Sequence, residues 1–167
     1  LRGISFIDLA HLCKSDLKDG FITYTRSKTG QRLSIRWEKD MQDMVDKYQV
    51  ETASSPYLFP FLANSDTQRK NRTTHDKRQD DLRLYHNAEA RIAYHLKKIG
   101  AKIGFHGKLT LYVARHSWAT AARDSNVSIS IISEALGHDS ETTTQIYLRS
   151  IQSSEVDDAN AKILASL

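Results

Sequence analysis

The stretch that decides how this chain reads is Tyr112–Ser150, YVARHSWATAARDSNVSISIISEALGHDSETTTQIYLRS. Arg115 stands three residues after Tyr112, a Gly137–His138 pair follows, and Tyr147 lies nine residues beyond that histidine. Taken singly, these residues have ordinary explanations. A lone helical arginine is commonly a surface charge, and a histidine after a C-capping glycine commonly interacts with the helix end. A tyrosine on a short helix commonly packs. Local patterning divides the stretch into helices. Thr110 to Arg123 reads as one, and a shorter one begins at Asn126-Val127, with Ile129, Ile132 and Leu136 on one face and Gly137 as its stop. Asp139 or Ser140 can cap a third that leads to Tyr147.

Upstream, "KDGFITYTRSKTGQRLSIRW" predicts a β-hairpin. Asp19-Gly20 is a turn signal, Phe21 to Thr25 is rich in β-formers, and Leu33, Ile35 and Trp37 alternate with polar residues around a tip at Lys28 to Gln31. "ISFIDLAHL" fits a buried helix better than strict alternation, and Met41, Met44, Val45 and Tyr48 follow helical spacing. "SSPYLFPF" breaks that pattern, and "NSDTQRKNRTTHDKRQDD" is polar, basic and without periodicity, so it reads as a mobile loop or insertion. Leu82 to Ile99 carries Leu82, Tyr85, Ala88, Ile92 and Leu96 on one helical face and is expected to end at Gly100. The tail "SSEVDDANAKIL" reads as helical, with acidic residues in its first turn. No internal repeat is present. The fold class expected is α+β, predominantly α-helical, with one small antiparallel sheet or hairpin.

Bulk composition sets the outer limits. The 167 residues suffice for one domain with a real core, and a content of 40% hydrophobic and 26% charged residues is that of a soluble globular protein. No run approaches the ~20 apolar residues a membrane-spanning helix needs. Arg2, Asp8 and Lys14 interrupt any signal-peptide pattern. The single Cys13 excludes an intramolecular disulfide and suits a reducing cytoplasm. A net charge of +4 and a pI near 9.2 lean towards an anionic partner. Because the chain opens at Leu1 in what reads as mid-helix, residues 1–167 are expected to be a fragment of a longer protein that lacks an N-terminal part.

The combination outweighs the single readings. "SKTG", "ARHSWAT" and "LGHDSETTTQIY" stand in an order and at a spacing that resemble the catalytic domain of tyrosine recombinases, the phage-integrase family. The likeness spans nearly the whole chain, and in texture it is most similar to integrases and transposon recombinases of Bacteroides-type bacteria. The resemblance implies site-specific recombination or integration of double-stranded DNA within a homotetramer. There the hydroxyl of Tyr147 would attack a phosphodiester to give a 3′-phosphotyrosyl link and a free 5′-hydroxyl. A covalent intermediate conserves the phosphodiester energy, so no ATP, metal or other cofactor is called for. Arg115 would bind the nonbridging oxygens, which suit a planar guanidinium fork. His138 would donate a hydrogen bond to the phosphate or manage the tyrosine proton. Lys28, at the hairpin tip, would protonate the leaving oxygen. The segment Ile151 to Leu167 would dock on a neighbouring protomer.

Two positions depart from the family pattern. Tyr112 occupies a slot that usually holds histidine. A phenol can give one hydrogen bond to a phosphate but shuttles protons poorly at neutral pH, so Tyr112 reads as a phosphate donor or a packing residue. Matching the family's Gly-x-Arg-x-x-Glu to Gly3-Ile4-Ser5-Phe6-Ile7-Asp8 puts Ser5 in the arginine slot. Arg2, one turn earlier if the segment is helical, is the expected substitute, with Arg26 or an arginine of the basic loop as other suppliers. Asp8 is expected to orient an arginine, and His116 to pack behind the site. Arg26, Arg69, Lys70 and Arg72, with Lys77 and Arg78, are candidate phosphate contacts. Two rival readings remain: a recombinase-like DNA-binding module that has lost cleavage, and a helical protein-interaction domain.

Overall fold

The computed structural model describes residues 1–62, 74–105, 107–148 and Leu164; of residues 74–80 it describes the backbone alone. In chain order the elements are α1 (Phe6–Ala10), a 3-10 turn (Lys14–Asp16), β1 (Leu17–Lys18), β2 (Phe21–Thr25), β3 (Arg32–Arg36), α2 (Lys39–Asp46), α3 (Thr74–Lys102), α4 (Leu111–Asp124) and α5 (Ile129–Leu136). A further helix, α6, covers residues 141–148. The architecture is α+β and mainly helical, as expected, with one antiparallel sheet in the order β1-β2-β3.

The sheet forms where the residues alternate. Ile22 faces Ile35 and Tyr24 faces Leu33 across β2 and β3. Leu33 and Ile35 are buried while Arg32, Ser34 and Arg36 face out, the period of a half-buried strand. Sequence patterning missed β1, whose two residues pair with Phe21 and Ile22 and are too short to show a period. Ile22 and Ile35 meet Leu12, Leu58 and Phe59 in one apolar cluster, which Trp37, Met41, Val45 and Tyr48 extend towards α2. A second cluster joins α1 to α3: Phe6 stacks on Tyr85 with ring centroids 5.3 Å apart and meets Phe61 edge-on. The third lies between α4, α5 and α6, where Ala119, Ile132, Leu136 and Leu148 are buried and Trp118 packs against them.

Two expectations about helices need correction. Helix α1 is only five residues long and starts at Phe6, because Ser5 caps it: the Ser5 hydroxyl accepts from the Asp8 N–H. Residues 1–5 are therefore not helical, and Arg2 sits at φ 49°, in the left-handed region. Helix α3 begins within the polar segment read as a loop and passes through Gly100 to Lys102, with Gly104 taking the left-handed turn beyond it. Gly100 is buried inside the helix, where an added Cβ would make ordinary contact with Leu109. Leu82 is exposed, and Leu84 takes its place beside Tyr85, Ala88 and Ile92 against the core.

Candidate active site

The site begins with α4, which carries Arg115 on its buried face. Arg115 is 5% exposed, and three of its five N–H donors are committed to the protein. Nη1 donates to the Gly3 carbonyl at 2.8 Å, and Nη2 donates to the Leu136 carbonyl at 2.6 Å and to His138 Nε2 at 3.3 Å. Gly3 packs so tightly here that an added Cβ would stand 3.0 Å from the Arg115 Cα. The guanidinium is thus held from both ends of the chain. Burial, and then the charge of Arg26, lower its pKa from the usual value, while Tyr147, Tyr112 and Tyr24 act in the opposite sense.

Arg26 is the second buried guanidinium. It directly follows β2, is 7% exposed, and donates through Nη1 to the Gly137 carbonyl. Thr29 Oγ1 reaches the same carbonyl at 3.4 Å, so the hairpin is latched to the end of α5. Gly137 adopts φ 64°, ψ 44°, the left-handed conformation that turns the chain from α5 towards His138.

Because arginine can only donate, His138 Nε2 accepts from Arg115, and Nδ1–H donates to Thr144 Oγ1 at 2.8 Å. That fixes one neutral tautomer. Burial, then the charges of Arg115, Arg26 and Lys28, push His138 down to about 4. In this arrangement the imidazole orients Arg115, and a hydrogen bond from Nε2 to a phosphate requires a second proton on the ring. Thr144, fully buried on α6, is a site residue that sequence reasoning missed; nothing in the run Thr142-Thr143-Thr144 marks the third one out.

Tyr147 follows on α6, beside the buried Leu148. Its ring lies parallel to that of His116 (6° between planes, centroids 4.9 Å apart) and edge-on to His138 at 5.7 Å. Burial, reinforced by Tyr112, raises its pKa well above the ordinary phenol value. His116, the residue next to Arg115 on α4, has its pKa lowered by burial and then by the charge of Arg115. Tyr112 is 55% exposed and caps the His116 ring edge-on at 4.4 Å.

One cleft of about 600 Å³ is lined by Arg26, Lys28, Tyr112, Arg115, His138 and Tyr147, together with Ser5, Ile7, Thr29, Asp139, Thr143 and Ile146. Lys28 is exposed at its rim. Three cations therefore converge on a cavity whose wall carries a phenol. Arg2 is exposed and does not line this cleft, although its charge is felt at Tyr24 along with those of Arg115 and Arg26. Asp8 does not hold an arginine in the arrangement described. Its buried carboxylate accepts from Ser5 Oγ, from the Ser27 N–H at 2.8 Å and from Ser27 Oγ at 2.6 Å, and so ties α1 to the residue before Lys28. Arg69, Lys70, Arg72 and the segment 151–167, Leu164 excepted, lie outside the described residues, as do the side chains of Lys77 and Arg78.

Residues 6–153 match the model of the phage integrase family. The chain belongs to that family. It is similar to the tyrosine recombinase XerA of Pyrococcus furiosus, 33% identical over 147 residues, which are 84% of this chain and 45% of the relative. The chain thus spans under half the length of that recombinase. Among solved structures, the XerA recombinase covers 92% of this chain and 52% of its own at a TM-score of 0.56 and 23% identity. The XerH site-specific recombinase, solved with its difH substrate as a pre-cleavage complex, covers 87% and 39% at 0.59 and 19% identity. These likenesses establish the tyrosine-recombinase fold. Among the described residues no helix is long and apolar enough to cross a membrane.

Proposed function

We propose that this protein is a site-specific tyrosine recombinase or integrase that cleaves and rejoins duplex DNA through a 3′-phosphotyrosyl intermediate. The observation that carries the reading is the convergence of Arg26, Lys28, Arg115 and His138 on the cleft that Tyr147 lines. In this mechanism a scissile phosphate enters between the two guanidiniums. The Tyr147 hydroxyl releases its proton to solvent water as its oxygen attacks phosphorus, the P–O5′ bond breaks, and Lys28 gives a proton to the departing 5′-oxygen. Arg115 and Arg26 bind the charge that builds on the nonbridging oxygens, in a setting already organised by protein carbonyls. Arg26 takes the part left open by Ser5, since it is buried in the cleft wall and Arg2 is not. His138 keeps Arg115 in register, and Tyr112 faces the phosphate side of the site.

The wider expectations stand as part of this proposal. The enzyme acts on double-stranded DNA as a homotetramer in the cytoplasm, with residues 151–167 reaching a neighbouring protomer and an N-terminal region sharing in recognition of the site. Its texture suits a Bacteroides-type integrase carried by a mobile element such as a transposon. The test is a nicked suicide duplex bearing the recombination site, incubated with the full-length protein. A covalent protein–DNA adduct that disappears in Tyr147→Phe supports the mechanism. Retention of the adduct in that variant, or binding without any adduct, refutes it, the latter in favour of a DNA-binding module that does not cleave.

A further inference from the structure

Helix α6 begins where the Ser140 hydroxyl accepts from the Thr143 N–H at 3.3 Å, and that start sets which residues turn inwards. Thr142 and Thr143 are exposed, whereas Thr144 and Leu148, one helical turn apart, are buried. Thr144 is 0% exposed, and its hydroxyl meets His138 Nδ1 at 2.8 Å. The other ring nitrogen, Nε2, stands 3.3 Å from Arg115 Nη2. One imidazole thus lies between a hydroxyl on α6 and a guanidinium on α4. Tyr147 follows Thr144 by three residues, so a single helix carries both that hydroxyl and the phenol of the cleft.

We propose that Thr144 is a positioning residue for Arg115: its hydroxyl accepts from His138 Nδ1–H and so keeps the Nε2 lone pair turned to the guanidinium. The inference rests on Arg115 binding the scissile phosphate, as proposed above. A guanidinium can only donate, so Nε2 is the bare nitrogen and the ring proton sits on Nδ1. Which nitrogen of a neutral imidazole carries the proton is set by the hydrogen bonds that the ring makes, and Thr144 supplies the one at Nδ1. The Gly3 carbonyl holds Nη1 and the Leu136 carbonyl holds Nη2, so His138 completes a three-point hold on the fork. Without the Thr144 hydroxyl, a buried Nδ1–H loses its acceptor, and the ring relieves that cost by turning or by shifting its proton. Either change takes an acceptor away from Arg115. The seating of α6 therefore sets the phosphate-binding guanidinium as well as the phenol, and the two halves of the site are assembled together.

Two substitutions separate this role from packing. Thr144→Val keeps the shape and removes the hydroxyl, whereas Thr144→Ser keeps the hydroxyl and loses a methyl group. In DNA-free full-length protein labelled at its histidine nitrogens, NMR at neutral pH locates the His138 proton. It should sit on Nδ1 in the wild type and in Thr144→Ser, and should divide between the two nitrogens in Thr144→Val. On the nicked duplex at saturating DNA, Thr144→Val should form adduct about tenfold more slowly, the worth of one hydrogen bond to a charged group, with unchanged DNA affinity. Thr144→Ser should recover most of that rate, the reverse of the order that lost packing would give. In a His138→Ala background Thr144→Val should cost nothing further, because the hydroxyl acts through that ring. A wild-type proton on Nε2, or an undisturbed Nδ1–H in Thr144→Val, overturns the proposal. So does a wild-type rate in Thr144→Val, or a rate in Thr144→Ser as low as in Thr144→Val. If the wild-type protein binds the duplex and forms no adduct, the recombinase reading falls instead, and the NMR comparison still decides whether Thr144 holds the ring.

Discussion

Replacing Gly137 with alanine tests how the hairpin and α5 are joined. Two costs arise. The residue sits at φ 64°, where an L side chain costs about 1–2 kcal/mol. The new Cβ would also stand 2.9 Å from Arg26 Cδ and 3.0 Å from Leu33 Cδ1. Neither neighbour yields easily, since Arg26 is buried with its guanidinium on the Gly137 carbonyl and Leu33 is fixed in β3. Overpacking of this kind adds roughly 1–3 kcal/mol, for a total of about 3 kcal/mol. Gly30 supplies the control: it has φ 71° and nothing within 4 Å of an added Cβ, so its alanine variant should lose only about 1 kcal/mol. In urea unfolding, with a slope of about 2 kcal/mol per molar, the midpoints should fall by roughly 1.5 M and 0.5 M. Gly137→Ala should also lower adduct formation at saturating DNA, because Arg26 must leave its place to make room. Equal losses in the two variants would refute the reasoning, since the packing contribution would then be absent.

Other outcomes follow from the same geometry. Arg26→Ala should slow adduct formation about 10²–10³-fold with little change in DNA affinity, and Arg26→Lys should recover little of it because an ammonium lacks the fork; single-turnover kinetics on the nicked duplex check this, and wild-type rates in Arg26→Ala would return the first-arginine role to Arg2. Asp8→Asn should destabilise the fold by about 1–3 kcal/mol, since two Ser27 donors lose a charged acceptor, and should loosen the hairpin tip, seen as faster hydrogen exchange at the Ser27 amide. Acid should weaken the fold through His138. The folded protein keeps that ring neutral down to about 4, while an unfolded chain takes up a proton near 6.5. Stability from this group is therefore full above about pH 6.5, declines as pH falls, and levels off near 4. Denaturant titrations between those limits should show a shallower slope in His138→Gln.

The sequence revealed most where periodicity and turn chemistry agree. β2, β3, α4 and α5 followed from alternation, from the Asp19-Gly20 turn and from Gly137, because each of these signals is local. The two strand residues of β1 and the start of α3 in a polar run were not legible, since pairing partners or packing decide them. The site divides in the same way. Arg115, His138, Lys28 and Tyr147 were found by order and spacing, and they meet in one cleft. Arg26 was legible as a cation, but not as a buried one, because its burial depends on a carbonyl 111 residues away. Arg2 looked well spaced only on the premise of a helix that Ser5 prevents. The partners of Asp8 were misjudged for a related reason: Ser27, nineteen residues on, reaches the carboxylate through tertiary folding alone.

The last turn of α5 has a consequence for how the cleft meets an anion. Its final carbonyls, those of Leu136 and Gly137, hold Arg115 and Arg26 respectively. A helix C-terminus presents only a partial negative charge, about half an elementary unit. Among the described residues no carboxylate forms an ion pair with either arginine or with Lys28. The two guanidiniums are therefore tethered without being neutralised. Among the described residues an anion entering the cleft therefore breaks no carboxylate salt bridge with either arginine, so the attraction of the site for an anion is built into the fold itself.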